Sequence, residues 1–415
     1  MKTAHPCILV FNPFAGQGHL DSWNAMFIAI LLDSGYRVLS LTPDSRVLQE
    51  RLNQYAGLST ENLQLLNWAV LKRKFSSRVI GRLQRLVKWA SQTKNSGAES
   101  TYIEPLDFAR RLQVACQNAT HKPDFVLNMY MDLYKTDEAS WKSTENLLSV
   151  PWAGIRFVPR DRPSEAYYSN RSLVGICLLD ETLCEQYQAS MPTKLFKYLP
   201  DITDSSLPIG TASVVSQIQA NAAGRHIVFM GGAIGGKKNL ASWYKLISCA
   251  DFNKWYFVQI GKINRADLTI EDQEALQQIY DNPPKNLYLR DEYLVDEKIF
   301  NQVIATADII FAVYKDFTIS SNMLGKAAAF NKPIIVAQGQ LMAHRVEQYK
   351  IGCAVPESDI SQMLVALDAM IKEAPYLHSG FESYRRDFSI EKLKTQLLAL
   401  IAQYFERSNH YSMSS

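Results

Sequence analysis

Short apolar runs recur along this chain. Most are closed by Gly, Pro, Asn or Asp, and between most of them apolar positions return every three or four residues. The first run, Cys7-Ile8-Leu9-Val10-Phe11, ends at Asn12-Pro13 and predicts a buried strand. A loop with Gly16, Gln17, Gly18 and His19 follows, then a helix over 20–33 stopped by Ser34-Gly35. Further strands are predicted over 36–41, 63–68, 125–130, 152–157 and 173–179. The pattern breaks over 199–224, where Pro200, Pro208, Gly210 and Gly224 punctuate a stretch without a long apolar run, as expected of a linker. It restarts with strands over 226–230, 255–260, 286–289, 308–313, 333–337 and 353–355, and with helices over 295–306 and 322–330. The last segment, 389–405, is an amphipathic helix with Leu393, Leu397, Leu400, Ile401 and Tyr404 on one face.

Strands alternating with helices mean parallel sheets with crossover connections. The expected fold class is therefore α/β: two Rossmann-like, doubly wound domains with a deep cleft between their strand-end loops. The expected boundaries are an N-terminal domain over 1–200, a linker over 201–224, a second domain over 225–380 and a C-terminal segment over 381–415. The length of 415 residues suits two such cores. With 47% hydrophobic and 20% charged residues the chain is not of a disordered class, and a net charge of +3 does not call for a nucleic-acid partner. The longest apolar run, 25–32, is too short to span a bilayer, which needs about 20 residues. The N-terminus shows no signal-peptide pattern, and the six cysteines form no Cys-x-x-Cys pair, so a cytoplasmic protein with reduced thiols is expected. Cys7 and Cys177 lie in strand-like runs as small buried hydrophobes. No His, Cys or carboxylate cluster has metal-ligand spacing, so no metal is expected.

The most informative stretch is 307–356. A strand ends near Tyr314, and Ser320-Ser321-Asn322 opens a helix with Lys326 one turn further in. Free amides at a helix start carry about half a positive charge and attract anions. Two readings of the serines stand side by side: phosphate ligands, or simple helix caps. Upstream, Gly231-Gly232 closes a strand and leads to Lys237-Lys238.

This half of the chain resembles GT-B nucleotide-sugar glycosyltransferases. In them the donor diphosphate sits on a helix that starts Ser-Ser-Gly after an Ala-Asp strand. Ser320, Ser321, Asn322, Leu324, Ala327 to Ala329, Asn331, Pro333, Ile334 and Ile335 match that helix and the strand after it. A following helix over 342–349 and Gly352 to Pro356 match the next elements. Gly231, Gly232 and Lys238 match the family's glycine loop and phosphate-binding lysine. The 286–290 segment ending in Arg290 is similar to the strand whose following loop cradles the base. The match is to a family 4-like C-terminal half without its paired glutamates, since Thr318 and Lys326 stand at those places; Asn322 and Asn331 replace glycines, and Gly232 replaces an arginine. The resemblance implies a donor site of Gly231, Gly232, Lys238, Arg290, Ser320, Ser321 and Asn322, with Lys326 assisting. It implies a metal-independent hexosyltransferase that uses a nucleoside-diphosphate sugar as co-substrate, needs no cofactor, and glycosylates a hydroxyl on a glycan or lipid-linked glycan. It also implies that the last helix crosses back to the N-terminal domain.

The N-terminal loop resembles the Gln-Gly-His loop of such enzymes, which implies that His19 is a catalytic base and that Gly16 and Gly18 face the cleft. A neutral imidazole suits proton removal from a hydroxyl; in a retaining enzyme His19 would only position substrate. Three alternatives stay open: an NAD(P)-dependent oxidoreductase using Gly16, Gly18 and Asp44, a sugar-nucleotide epimerase, and a non-catalytic sugar-nucleotide-binding protein. Residues 72–89 carry seven basic residues and no acid, with Arg78, Arg82 and Arg85 on one helical face and Phe75, Val79, Leu83 and Leu86 on another. Such a helix either packs on its own sheet or lies on the anionic cytoplasmic face of a membrane.

Overall fold

The continuous apolar runs become the strands of two parallel sheets. They are seen in a computed structural model that describes residues 6–14, 19–68, 103–134, 137–374 and 377–413, with backbone alone for His19 and 408–413. The chain divides into two units: residues 1–199 with 394–415, and residues 200–393.

In unit 1 the strands are β1 Cys7–Phe11, β2 Arg37–Thr42, β3 Leu63–Asn67, β4 Phe125–Asn128, β5 Trp152–Arg156, β6 Leu173–Leu178 and β7 Leu195–Tyr198, in the order β3-β2-β1-β4-β5-β6-β7. All pairs are parallel; β1 is an inner strand, with Leu9 opposite Leu39 on one side and Val126 on the other. Every residue of β1 is buried, as expected of a parallel strand covered on both faces. The helices are α1 His19–Asp33, α2 Ser45–Leu52, α3 Pro105–Asn118, α4 Glu138–Lys142 and α5 Glu181–Ser190. Cys7 and Cys177 are buried within strands, and burial pushes the Cys7 thiol up to about 11.

Among the described residues unit 2 has six parallel strands: β8 His226–Gly231, β9 Trp255–Ile260, β10 Leu287–Arg290, β11 Ile309–Ala312, β12 Ile334–Ala337 and β13 Gly352–Val355. Their order, β10-β9-β8-β11-β12-β13, is the 3-2-1-4-5-6 order of a dinucleotide-type Rossmann sheet. Its helices are α6 Ser213–Ala222, α7 Leu240–Cys249, α8 Ile270–Asp281, α9 Glu297–Thr306, α10 Asn322–Ala329, α11 Leu341–Tyr349, α12 Ile360–Glu373 and α13 His378–Asp387. The closing helix, α14 Ile390–Met413, begins in unit 2 and continues in unit 1. Its expected apolar face is buried at Leu393, Leu397, Leu400 and Ile401. Gly175 on β6 leaves room for it: a Cβ there would lie 3.1 Å from Leu400 Cδ1 and 2.8 Å from the Leu195 carbonyl.

One expectation is corrected, and one strand is added. Residues 201–224 are not a bare linker, because α6 occupies ten of them and buries Val214, Val215, Ile218 and Ala222. Its helical spacing is short and hemmed in by Pro208, Gly210 and Gly224, and the helix stops at Ala223 and Gly224, both at positive φ. Strand β7 was not foreseen; it is a four-residue edge strand, and only Leu195 and Phe196 are buried.

Candidate functional site

In a doubly wound sheet, ligands bind beyond the carboxyl ends of the strands, where the strand order reverses. In unit 2 that point lies between β8 and β11. The loops leaving these two strands carry the glycine-lysine segment 231–239 and the segment from Tyr314 to α10.

The turn after β8 requires both glycines. A Cβ on Gly231 would strike the Phe229 ring and the Ile260 carbonyl, and Gly232 sits at φ 93°, a region open to glycine. The chain returns so that Lys238 Nζ donates to the Gly231 carbonyl at 3.0 Å and to the Tyr314 hydroxyl at 2.7 Å. An ammonium has three protons, so one is left for a ligand. Lys237 is exposed, its ammonium 5.6 Å from the Phe317 ring centroid, and the Lys315 amide donates to the Lys237 carbonyl at 2.9 Å. Asn239, at φ 58°, donates to the carbonyls of Val313 at 3.3 Å and Glu357 at 2.7 Å. The Glu357 carboxylate accepts the Asp316 amide at 3.0 Å. The loops after β8, β11 and β13 are thus bound to one another, and cationic side chains stand on two of them.

The two serines have different surroundings. Ser321 caps α10, accepting from the Met323 amide at 3.3 Å, and its own proton has no acceptor among the described residues. Ser320 donates to Asp201 at 3.1 Å and accepts from buried Arg345 at 2.8 Å, so its proton is already used. Asn322 accepts from the Thr203 hydroxyl. Lys326 requires a correction. Its side chain is 1% exposed, and its ammonium donates to the Asp204 carbonyl at 2.8 Å, to Glu297 and to Asn301. All three protons are taken inside the protein, so in this arrangement Lys326 has none to offer a diphosphate. Arg290 ends β10 and pairs with Glu292. Tyr314, Asn239, Asp201 and Arg345 were missed by sequence reasoning; the only signal for the first two was their place beside the strand-end loops.

Unit 1 reverses its strand order between β1 and β4. There Asn12 Oδ1 accepts the Phe14 amide at 3.2 Å, the Phe14 ring meets Tyr130 edge-on at 5.2 Å, and Tyr130 stacks on Phe157 at 5.2 Å. The Asp132 carboxylate accepts the amides of Phe157 and Val158, each at 2.8 Å, while burial pushes its pKa up. His19 is the first residue of α1. Its side chain, Gly16, Gly18 and the basic segment 72–89 lie outside the described residues. Asp44, the acid of the oxidoreductase alternative, caps α2 through the Arg46 amide at 2.9 Å and pairs with the Arg46 guanidinium at 3.1 Å.

No family model matches the chain, and no curated protein matches it. Solved structures do. An alpha,alpha-trehalose 6-phosphate synthase from Burkholderia multivorans superposes with a TM-score of 0.64 at 11% identity, covering 98% of each chain. The trehalose-6-phosphate protein from E. coli bound with UDP-2-fluoro glucose gives 0.62 at 9% identity, covering 95% of this chain and 98% of that one. A glycosyltransferase from Rickettsia africae gives 0.62 at 12% identity, covering 95% and 97%. This chain has the GT-B fold. Among the described residues, no helix is long and apolar enough to cross a membrane.

Proposed function

We propose that this GT-B protein is a glycosyltransferase that moves a sugar from a nucleoside-diphosphate sugar to a hydroxyl acceptor. The observation that carries the reading is the Lys238 ammonium at the switch point of unit 2, held by the Gly231 carbonyl and by the hydroxyl of Tyr314, whose loop leads on to the Ser321-capped start of α10. Neighbours of the same fold, one of them bound with UDP-2-fluoro glucose, support a nucleotide-sugar ligand.

In the reaction, the acceptor oxygen forms a bond to the anomeric carbon while the bond from that carbon to the diphosphate oxygen breaks. The electron pair leaves with the diphosphate. Charge therefore grows on the diphosphate in the transition state, where Lys238, Lys237, the amides at the start of α10 and the Ser321 hydroxyl stabilise it. Fixed cations and dipoles of this kind do the work without a metal, and no other cofactor is required. Arg290 and the loop after β10 serve the nucleotide, and Gly231 and Gly232 let the backbone approach the phosphates. Ser320 and Asn322 shape the start of the helix. In unit 1, Gly16 and Gly18 shape the loop before α1 and His19 takes the acceptor proton. The 72–89 segment rests on an anionic cytoplasmic membrane surface, which suits a lipid-linked glycan acceptor.

The test is a thermal-shift panel of UDP, GDP, NAD and NADP. A ligand at a hundred times its Kd stabilises by about 2.7 kcal/mol. Stabilisation by UDP or GDP, lost in Lys238→Ala, supports the reading and names the base. A shift with NAD or NADP alone overturns it.

A further inference from the structure

The first residues of unit 2, 201–206, form a strap that holds the side of α10 by a series of side-chain bonds. Asp201 accepts from Ser320 at 3.1 Å, one residue before the cap. Thr203 donates to Asn322, the first residue of the helix. The Asp204 carbonyl accepts from Lys326 at 2.8 Å, and Asn301 of α9 donates to the carbonyls of Asp204 at 3.2 Å and Ser206 at 2.8 Å. Asn322, Gly325 and Lys326 are spaced i, i+3, i+4 and so share one face of α10. Gly325 lets the strap lie against the helix backbone, because any Cβ there would overlap the Thr203 hydroxyl.

Alone, α10 is a weak element. It has eight residues, fewer than the dozen or so an isolated helix needs, and a glycine at its centre costs about 1 kcal/mol relative to alanine. Its direction therefore comes from what it packs on, and on this face that is the strap. Hydrogen bonds from its first amides to a phosphate tolerate only about 10–20° of misorientation.

We propose that the strap 201–206 positions α10 for the donor phosphates. Asp201, Thr203 and Lys326 thereby act as positioning residues that set nucleoside-diphosphate affinity without touching the ligand. The inference rests on the donor site proposed above. Coupling of this kind is reciprocal: if the strap sets diphosphate affinity, bound diphosphate steadies the strap by the same factor.

The experiment has two arms, with UDP and GDP as probes. Amide hydrogen exchange on the wild-type protein, with and without the diphosphate, reads the strap directly. The expected result is slower exchange at 201–206 as well as at the start of α10. Titration calorimetry on Thr203→Val and Asp201→Asn, beside wild type, reads affinity. The expected result is binding weakened about fivefold or more, with the helix-start amides losing their protection in parallel. A structural role alone would lower the melting temperature and leave both the Kd and the diphosphate-dependent exchange of the strap unchanged. That outcome overturns the inference and leaves the donor site standing. If neither UDP nor GDP binds the wild-type protein, the donor-site reading falls and takes the inference with it.

Discussion

The Lys238 ammonium donates to the Tyr314 hydroxyl at 2.7 Å and stands 4.1 Å from the centroid of the same ring. The tyrosine thus fixes the direction of a cation that would otherwise swing on a four-carbon stem, and it leaves that cation its charge. Lys238→Ala should weaken nucleoside-diphosphate binding about 10- to 100-fold, the value of one charge-assisted hydrogen bond. Tyr314→Phe keeps the ring and loses the hydroxyl, so it should weaken binding less while making the lysine less ordered. Calorimetric titration of the two variants with UDP or GDP checks the order.

Ser321 caps α10, and in the proposed donor site its hydroxyl also serves a phosphate; one pair of substitutions separates the two roles. As the cap of α10 it stabilises the fold, and Ser→Ala at a cap costs about 1 kcal/mol while Ser→Gly costs only a few tenths. As a phosphate donor it is lost equally in both variants. Ser321→Ala and Ser321→Gly should therefore lose similar diphosphate affinity and differ in urea midpoint. Equal affinity to wild type in the glycine variant would reduce Ser321 to a cap.

The fold was legible because parallel strands are buried on both faces and read as unbroken apolar runs: Cys7–Phe11 and Trp255–Ile260 have the bounds their hydrophobicity suggests. Strand β7 escaped because it lies at the sheet edge, where one side needs no partner and Lys197 is tolerated. The glycine loop and the helix start were legible for a similar reason: a turn and a cap are local chemistry. What Lys326 touches was not, since its partners Asp204 and Glu297 lie 122 and 29 residues away in sequence. One sign was present. Lys326 falls among Leu324, Gly325, Ala327 and Ala328, a segment without another polar residue, and a lysine there is either a ligand group or buried with a partner.

The pairing of Lys326 with Glu297 predicts an asymmetry. Lys326 is 1% exposed and Glu297 46%. Glu297→Ala strands a buried cation against two neutral oxygens, a loss of about 3–5 kcal/mol. Lys326→Met leaves a carboxylate that water can reach and an amide oxygen short of one donor, which costs about 1–3 kcal/mol. Urea denaturation should find the glutamate variant the less stable, and the double variant Glu297→Ala with Lys326→Met more stable than Glu297→Ala alone. Equal losses from the two single substitutions would mean that the ammonium reaches water and that the cluster is looser than its geometry implies.

Asn239 offers a test of the site's rigidity that separates backbone from side chain. Its φ of 58° suits glycine and strains alanine by roughly 1–2 kcal/mol. Its amide group ties the Val313 and Glu357 carbonyls to the lysine loop. Asn239→Gly removes the tie and keeps the backbone at ease; Asn239→Ala removes the tie and adds strain; Asn239→Asp places a carboxylate, which cannot donate, against two carbonyl oxygens. Thermal melts should therefore rank glycine above alanine, the reverse of their order inside a helix, with aspartate lowest. Diphosphate affinity should fall in the glycine variant too, because the lysine loop then loses its side-chain ties to the Val313 and Glu357 carbonyls. A glycine variant with wild-type affinity would show that the Lys315–Lys237, Lys238–Tyr314 and Asp316–Glu357 bonds are enough to hold these loops together.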